Sequence, residues 1–195
     1  GLGVTLSVNG EVRQKTNTEN LVFSVPYLVS FLSNLVTLEP GDIILTGTPG
    51  GVGVAMDPPT FLKDGDIVNI DITTILSGYH GDTSAMFTVG KPSKDALELV
   101  QVTKECLEIG IAAAAEPNAI YSDIGNAIQA LADEYGFGVV EDYCGHGIGR
   151  NFHEEPTVFH FGNRFRSPHI EIGHVFTIEP MINAGDSDLF IDKDN

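Results

Sequence analysis

A β-hairpin between residues 67 and 89 is the feature that most limits how this chain can fold. Apolar and polar residues alternate from Ile67 to Leu76, and this alternation predicts a strand with two unlike faces. Ser77–Gly78 is typical of a tight turn, and the segment from Tyr79 to Val89 predicts a returning second strand. One face of the first strand carries Val68, Ile70 and Ile72, and the other carries Asn69, Asp71 and Thr73.

The register of this hairpin decides whether two aspartates meet. With Ser77–Gly78 as the whole loop, Thr73 lies opposite Asp82 and Asp71 lies opposite Ser84. Asp71 and Asp82 then become diagonal neighbours on one face, about 7–8 Å apart at Cα. A loop one residue longer moves them to opposite faces. An even loop therefore predicts a paired-carboxylate site.

Two solvated acids on an exposed hairpin face are the alternative to a metal site. Aspartate is depleted in strands, and two facing carboxylates repel each other. A bound cation removes this conflict, which favours the metal interpretation.

Two more potential ligands follow along the chain. His153 begins the segment His153–Pro156, and Glu179 lies in Phe176–Pro180. Carboxylates with one imidazole suit Mn, Fe(II), Co or Zn. Carboxylates held on strands also suit a hydrolytic site, in which one or two metal ions activate water and polarise a carbonyl.

The text around these residues resembles the methionine aminopeptidases from about Phe61 to near the C-terminus. This resemblance implies a pseudo-symmetric α/β "pita-bread" fold. It also implies removal of the initiator methionine from new chains whose second residue is small, so peptide and nascent-protein N-termini are the expected partners. The matching segments are Leu62–Thr73, Gly78–Thr83, Tyr143–Arg150, Phe152–Pro156 and Val175–Gly185.

The resemblance also implies roles for individual residues. Asp71 and Asp82 correspond to two aspartate ligands, and His153 corresponds to the imidazole ligand. Glu179 corresponds to a ligand that also handles the proton of the attacking water. His160 corresponds to a second histidine that lies near the scissile amide, contacts the substrate and stabilises developing charge.

The family comparison also covers two other histidines and a fifth metal ligand. His80 and His146 match the family's text, and we interpret both as hydrogen-bonded structural histidines. The family has a fifth ligand, a glutamate on a later strand, and none of Asp186, Asp188, Asp192 and Asp194 stands in a matching context. We therefore expect weakened metal affinity and reduced turnover.

The first third of the chain resembles the C-terminal part of the fumarylacetoacetate hydrolase family. The resemblance implies a substrate contact at Thr48, whereas that family's metal-binding and acid–base residues have no counterpart. We expect an α+β chain with two parts. Residues 1–66 form a β-rich hydrolase-like fragment, and residues 67–195 form a partial pita-bread domain, as in a chimera. The matching segments are Val8–Gln14, Leu38–Pro49 and Gly51–Gly53.

Local patterns predict the remaining elements. In the first part they predict a hairpin turn at Asn9–Gly10, a helix beginning near Pro26 and a strand over Asp42–Thr46. In the second part they predict two helices, one capped by Ser93 and one capped by Ser122 and stopped by Gly136. Ile124, Ile128 and Leu131 form the apolar stripe of the later helix.

Composition limits the partners of the chain. A net charge of −17 opposes binding to nucleic acid and to anionic membranes. No apolar run approaches the length of a membrane span and no secretory signal is visible. Two cysteines without a disulfide pattern indicate a reducing compartment such as the cytoplasm. The sequence gives no oligomeric state.

Three other interpretations of the sequence are alternatives to a metalloaminopeptidase. The chain is alternatively a non-catalytic pita-bread module that binds peptides, or a truncated fusion with an incomplete fold. An oxo-acid hydrolase with its site at Thr48 is the third, and the absence of that family's acids disfavours it.

Overall fold

The computed structural model describes residues 2–8, 10–162 and 167–189. The chain divides into two compact units, one that runs to Phe61 and one that begins at Leu62. Among the predicted residues, Asn9, Asp192 and Asp194 lie outside the described residues.

The first unit is built from a hairpin and one helix. Strand β1 (Gly3–Val8) pairs antiparallel with β2 (Glu11–Asn17), and helix α1 spans Val25–Ser33. Ser24 caps this helix, because its Oγ accepts a hydrogen bond from the Tyr27 N–H. None of the described side chains up to Phe61 is fully buried.

The strand predicted over Asp42–Thr46 is wrong. This segment forms no regular element, and the side chains of Ile43 and Leu45 are almost fully exposed. A strand needs a partner for its backbone groups, and none of the described segments pairs with this one.

The second unit begins with the predicted aspartate hairpin. Strand β3 (Ile67–Leu76) pairs antiparallel with β4 (Tyr79–Thr88). Thr73 faces Asp82 and Asp71 faces Ser84, so the predicted register is confirmed. Ser77 and Gly78 have φ angles of 53° and 79°, and two positive φ angles are typical of the turn that joins two-residue hairpins.

Two antiparallel helices follow. Helix α2 (Lys94–Ala114) begins after Ser93, whose Oγ accepts a hydrogen bond from the Ala96 N–H as predicted. Helix α3 (Tyr121–Tyr135) ends at Gly136, which is left-handed with φ 69°. Its predicted start is wrong. The Asp123 carboxylate caps it by accepting a hydrogen bond from the Ile120 N–H, and Ser122 lies inside the helix.

Four short strands complete the second unit. The core packs α2 and α3 against them, with Cys106, Ile124, Ile128 and Val158 fully buried. None of the described helices combines the length and the apolar character that crossing a bilayer requires. The strands are β5 (Gly138–Val139), β6 (Gly145–Gly147), β7 (Glu154–Val158) and β8 (Ile182–Asn183), in the antiparallel pairs β5–β8 and β6–β7.

Candidate metal centre

Three side chains from distant parts of the second unit meet at one point. Asp82 comes from β4, His146 from β6 and Glu179 from the segment before β8. One donor atom from each lies within 4.8 Å of the other two. His146 Nε2 lies 3.9 Å from Asp82 Oδ2 and 3.5 Å from Glu179 Oε1. Two carboxylates and one imidazole are a donor set for a divalent transition metal.

Burial differs among the three groups. The side chains of Asp82 and His146 are 9% and 13% exposed, whereas that of Glu179 is 33% exposed. Glu179 therefore lies on the solvent side of the group, where it can contact an entering molecule.

Glycines on both sides of His146 allow strand β6 to pack closely against the backbone of its neighbours. A Cβ at Gly145 would collide with the carbonyl oxygen of Thr177, and a Cβ at Gly147 would collide with that of Glu155. Strand β6 pairs with β7 on one side, and Gly147 bridges to Phe176 on the other. His146 thus carries the only side chain beyond hydrogen on β6, and this side chain faces the acids.

Asp71 lies beside this group on the neighbouring strand. Partial burial raises the pKa of the Asp71 carboxyl above its ordinary value, and the adjacent Asp82 and Glu179 carboxylates raise it further. Thr73, which faces Asp82 across the hairpin, donates a hydrogen bond from its hydroxyl to Asp82 Oδ1 at 3.3 Å. The hairpin therefore concentrates negative charge where a cation would relieve the repulsion.

Hydrogen bonds hold Glu179 at both its main chain and its side chain. The Glu179 N–H donates to His160 Nε2 at 3.1 Å. The Thr177 hydroxyl donates to Glu179 Oε1 at 2.5 Å. The same hydroxyl accepts from the His146 N–H at 2.9 Å. Thr177 was not singled out from the sequence, although it stands in the matching segment two residues before Glu179.

The structure places His146 between the acids, and the predicted imidazole ligand His153 lies next to it; the ligand role of His153 stays a prediction. His153 is exposed, and its ring lies 4.3 Å from the His146 ring, perpendicular to it. His146, interpreted from the sequence as a structural histidine, lies close enough to both acids to be a candidate donor as well. The Gly–His–Gly pattern at 145–147 was the available signal, because flanking glycines indicate a strand that other backbones approach closely.

His160 is buried in the protein next to the main chain of Glu179. Its side chain is 2% exposed, and burial lowers the pKa of this histidine to about 4. A neutral ring with its proton on Nδ1 can accept the Glu179 N–H at Nε2, as the geometry requires. The predicted substrate contact of His160 stays a prediction.

His80 and Thr48 are the two remaining residues singled out from the sequence, and they lie in different units. His80 is a structural histidine as interpreted, because both its N–H and its ring Nδ1 contact the Gly149 carbonyl, at 2.8 and 3.1 Å. Thr48 belongs to the first unit, where its hydroxyl accepts a hydrogen bond from the Gln14 side chain at 2.9 Å. Its predicted substrate contact stays a prediction.

A cavity of about 550 Å³ opens beside the two adjacent histidines. Its lining includes His146, His153, Cys144 and the acids Asp142, Glu154 and Glu155. Burial raises the pKa of the Cys144 thiol, and the Glu179 and Glu155 carboxylates raise it further. The cavity therefore reaches one member of the centre, His146, past an acidic entrance formed by Asp142, Glu154 and Glu155.

Comparison of the sequence with known proteins points to one family. The model of Metallopeptidase family M24 matches residues 23–193. The methionine aminopeptidase of Escherichia coli K12 is 44% identical over 159 residues, which are 82% of this chain and 57% of that protein. Methionine aminopeptidase A of Synechocystis is 41% identical over 181 residues, which are 93% of this chain and 68% of that protein.

Solved structures give the same result for the fold. The methionine aminopeptidase from Rickettsia prowazekii has a TM-score of 0.64 and 46% identity, over 68% of this chain and 53% of that one. The one from Thermotoga maritima has a TM-score of 0.65 and 34% identity, over 71% and 55%. The chain thus spans between about half and two thirds of the length of the proteins that it matches.

The fold is therefore the mixed α/β pita-bread fold of these aminopeptidases. The match begins at residue 23, inside the part that resembles the fumarylacetoacetate hydrolases, and that second resemblance stays a prediction. With 171 of its residues matched by one family model and its acids and imidazole brought together, the chain belongs to Metallopeptidase family M24.

Proposed function

We propose that this chain is a metal-dependent aminopeptidase that removes N-terminal methionine from peptides and nascent proteins. The observation that carries the proposal is the convergence of Asp82, His146 and Glu179 from three separate elements. The relatives named methionine aminopeptidases support the substrate class. The chain spans 57% and 68% of the length of these two relatives.

The donor set fits a divalent ion such as Mn, Fe, Co or Zn. Asp82, His146 and Glu179 would hold the ion, and three protein donors that leave one position open are a workable catalytic set. Asp71 adjoins them and would extend the set for the same ion or for a second one. When bound, such an ion polarises a carbonyl and lowers the pKa of a water ligand.

The chain's own residues then supply binding and proton transfer. Glu179 is the most accessible of the three donors, and its carboxylate is placed to accept a proton from the attacking water. His153 lines the cavity next to His146. We assign to its imidazole the stabilisation of charge on the carbonyl oxygen, the role that the sequence had given to His160.

The acidic entrance favours a substrate with a positive N-terminus. Asp142, Glu154 and Glu155 line the cavity, and the net charge of the chain is −17. A free α-amine is therefore attracted to this face, whereas nucleic acid and anionic membranes are repelled. Both cysteines are free thiols, which supports a reducing compartment such as the cytoplasm.

For the first 66 residues we propose a separate fragment related to the fumarylacetoacetate hydrolases. The division of the chain next to Phe61 supports a boundary there, close to the predicted one.

The first experiment is calorimetric titration with Mn(II) of the wild type, His146→Ala and His153→Ala. We expect binding near one equivalent in the wild type, loss of binding in His146→Ala and retained binding in His153→Ala. Met-Ala-Ser cleavage should then be lost in both variants. Loss of binding in His153→Ala alone would instead identify His153 as the imidazole ligand.

The same measurements distinguish the enzyme from the alternative function, a peptide-binding module without catalysis. Asp82→Asn removes a metal donor with little change in shape. If this variant binds the peptide as tightly as the wild type and the wild type neither binds Mn(II) nor cleaves Met-Ala-Ser, the module replaces the enzyme.

A further inference from the structure

One face of the β3–β4 hairpin is apolar and exposed. Side chains alternate between the two faces of a strand, so Val68, Ile70 and Ile72 lie on the face opposite to Asp71 and Asp82. We call this apolar side the back face. All of its residues except Val68 are exposed. The back face consists of Val68, Ile70, Ile72, Thr74 and Leu76 on β3 and of Tyr79, Gly81, Thr83, Ala85 and Phe87 on β4.

The back face exposes large side chains in one continuous row. The exposed fraction is 80% for Leu76 and 46–52% for Ile70, Ile72, Tyr79 and Phe87. Single exposed apolar residues are ordinary, whereas a contiguous group of them typically marks an interaction site. None of the described strands extends this sheet beyond β3 and β4, and a two-stranded hairpin is marginally stable until one face is packed. Covering the back face would therefore stabilise the hairpin.

Charge limits which molecule can cover the back face. Its ten residues include no acidic or basic side chain, in a chain whose net charge is −17. The Arg150 guanidinium lies 4.7 Å from the centre of the Tyr79 ring and adds a positive charge beside this face. Two acidic copies repel each other, and the repulsion is smallest where the meeting surfaces carry no acids. A second copy can therefore approach here, whereas a basic partner finds no acid on this face to pair with.

The size of the back face fits a weak symmetric contact. Both strands have ten residues, so the face is about 33 Å long and about 10 Å wide, or about 300 Å². This area lies at the lower end of the largest apolar patches on single chains. Two hairpins packed face to face would bury about twice as much, which is below the size of a standard stable interface. We therefore expect a reversible complex that forms at high protein concentration.

We propose that the back face is a contact between two copies of this chain, related by a two-fold axis. In such a contact the same residues serve both partners, so one apolar face is sufficient. The inference concerns association and does not depend on the proposed function. Because Asp71 and Asp82 extend from the other face of the same two strands, a covered back face also restrains the strands that carry these acids.

Sedimentation velocity of the full chain, from low micromolar to several hundred micromolar protein, tests the proposal. We expect the mean mass to rise reversibly toward that of a dimer, and NaCl to favour the dimer because it screens the net charge. The double variant Ile70→Thr and Ile72→Thr keeps β-branched residues in the strand and removes apolar contact area. Its association should be weaker by about 10-fold or more.

Ile111→Thr is the matched control. Ile111 lies on α2 and is 51% exposed, against 52% for Ile72, so the same chemical change is made at a similar exposure away from the back face. This variant should associate as the wild type does. Hydrogen exchange needs no substitution, and amides of β3 and β4 in the wild type should become more protected as the protein concentration rises.

Four results would overturn the inference. The first is a wild type that stays monomeric at several hundred micromolar in NaCl. The second is an Ile111→Thr variant that associates as weakly as the double variant. Growth beyond the dimer without limit would show non-specific aggregation, and concentration-dependent protection outside β3 and β4 alone would place the contact on another surface.

Discussion

Glu179 shows at the scale of single residues how this centre is prepared before any ion binds. His160 holds its main chain and Thr177 holds its carboxylate. Both partners are positioned by the protein itself, so little side-chain freedom remains to be lost on binding. The burial that keeps the His160 ring neutral is what lets this ring accept the Glu179 N–H.

The two cysteines should differ sharply in reactivity. Cys106 is fully buried, and burial raises its pKa to about 11, so it is protonated and inaccessible between pH 7 and pH 9. Cys144 is partly exposed and lines the cavity. We expect iodoacetamide to label Cys144 in the folded chain and to label Cys106 only on unfolding, as peptide mapping by mass spectrometry would show.

A cysteine-labelling pattern with both thiols modified at equal rates would contradict this packing. The useful control is the same reaction in urea, where both thiols should react. Cys106→Ser is a second control, because it should leave the labelling of Cys144 unchanged.

The residues of the centre were predictable to different degrees. Asp71 and Asp82 follow from a local rule, since two strands and a two-residue turn determine which side chains share a face. The choice between His146 and His153 depends on which segment pairs with Phe176 and Thr177. That pairing is long-range and leaves no periodic signal near either histidine.

Elements were predicted well where their cause is local. The hairpin register and the Ser93 cap of α2 are correct. The start of α3 was misassigned because two capping residues compete there, and the acid that reaches back to Ile120 is used in place of Ser122. The strand over Asp42–Thr46 failed because its pattern says nothing about whether a partner strand exists.

Gly125 on α3 should be the most sensitive helical position to a small substitution. A Cβ there would collide with the carbonyl oxygens of Phe159 and Phe161, and backbone atoms cannot move aside as a side chain can. We expect Gly125→Ala to lower the free energy of unfolding by about 1–3 kcal/mol despite the better helix propensity of alanine. Urea denaturation measures the change.

Glu134→Ala is the control for this substitution on the same helix. Glu134 is exposed near the end of α3, and we expect a change within about 0.5 kcal/mol. A Gly125→Ala variant as stable as the wild type would mean that α3 does not pack on the 159–161 segment in solution.

Across the whole molecule, both the charge and the buried residues are unevenly distributed. Its charge of −17 opposes compaction through self-repulsion. Its burial is also uneven, since the described core residues all belong to the second unit. Neither property specifies the fold, but both determine the conditions in which the fold is stable.

Salt and divalent metal should therefore stabilise the chain through separable effects. Raising NaCl screens the net charge and should raise Tm in the wild type and in His146→Ala alike. Mn(II) at the same ionic strength should raise Tm further in the wild type only. At one hundred times its Kd, the ion should increase the free energy of unfolding by about 2.7 kcal/mol. Differential scanning calorimetry of both proteins in both salts checks this expectation.

An equal response of both proteins to Mn(II) would assign the metal effect to surface acids. Mg(II) at the same ionic strength is a suitable comparison, because it prefers oxygen donors and dehydrates reluctantly. It should act on both proteins much as NaCl does.

The glycines that flank His146 also limit how this centre can evolve. Only hydrogen fits at both neighbouring positions of β6, so this strand offers no second side chain through which metal preference can be adjusted. Adaptation to another ion has to come from the segments on either side, through residues such as Thr177. Within β6 the histidine is therefore the one position at which a different side chain could be accommodated.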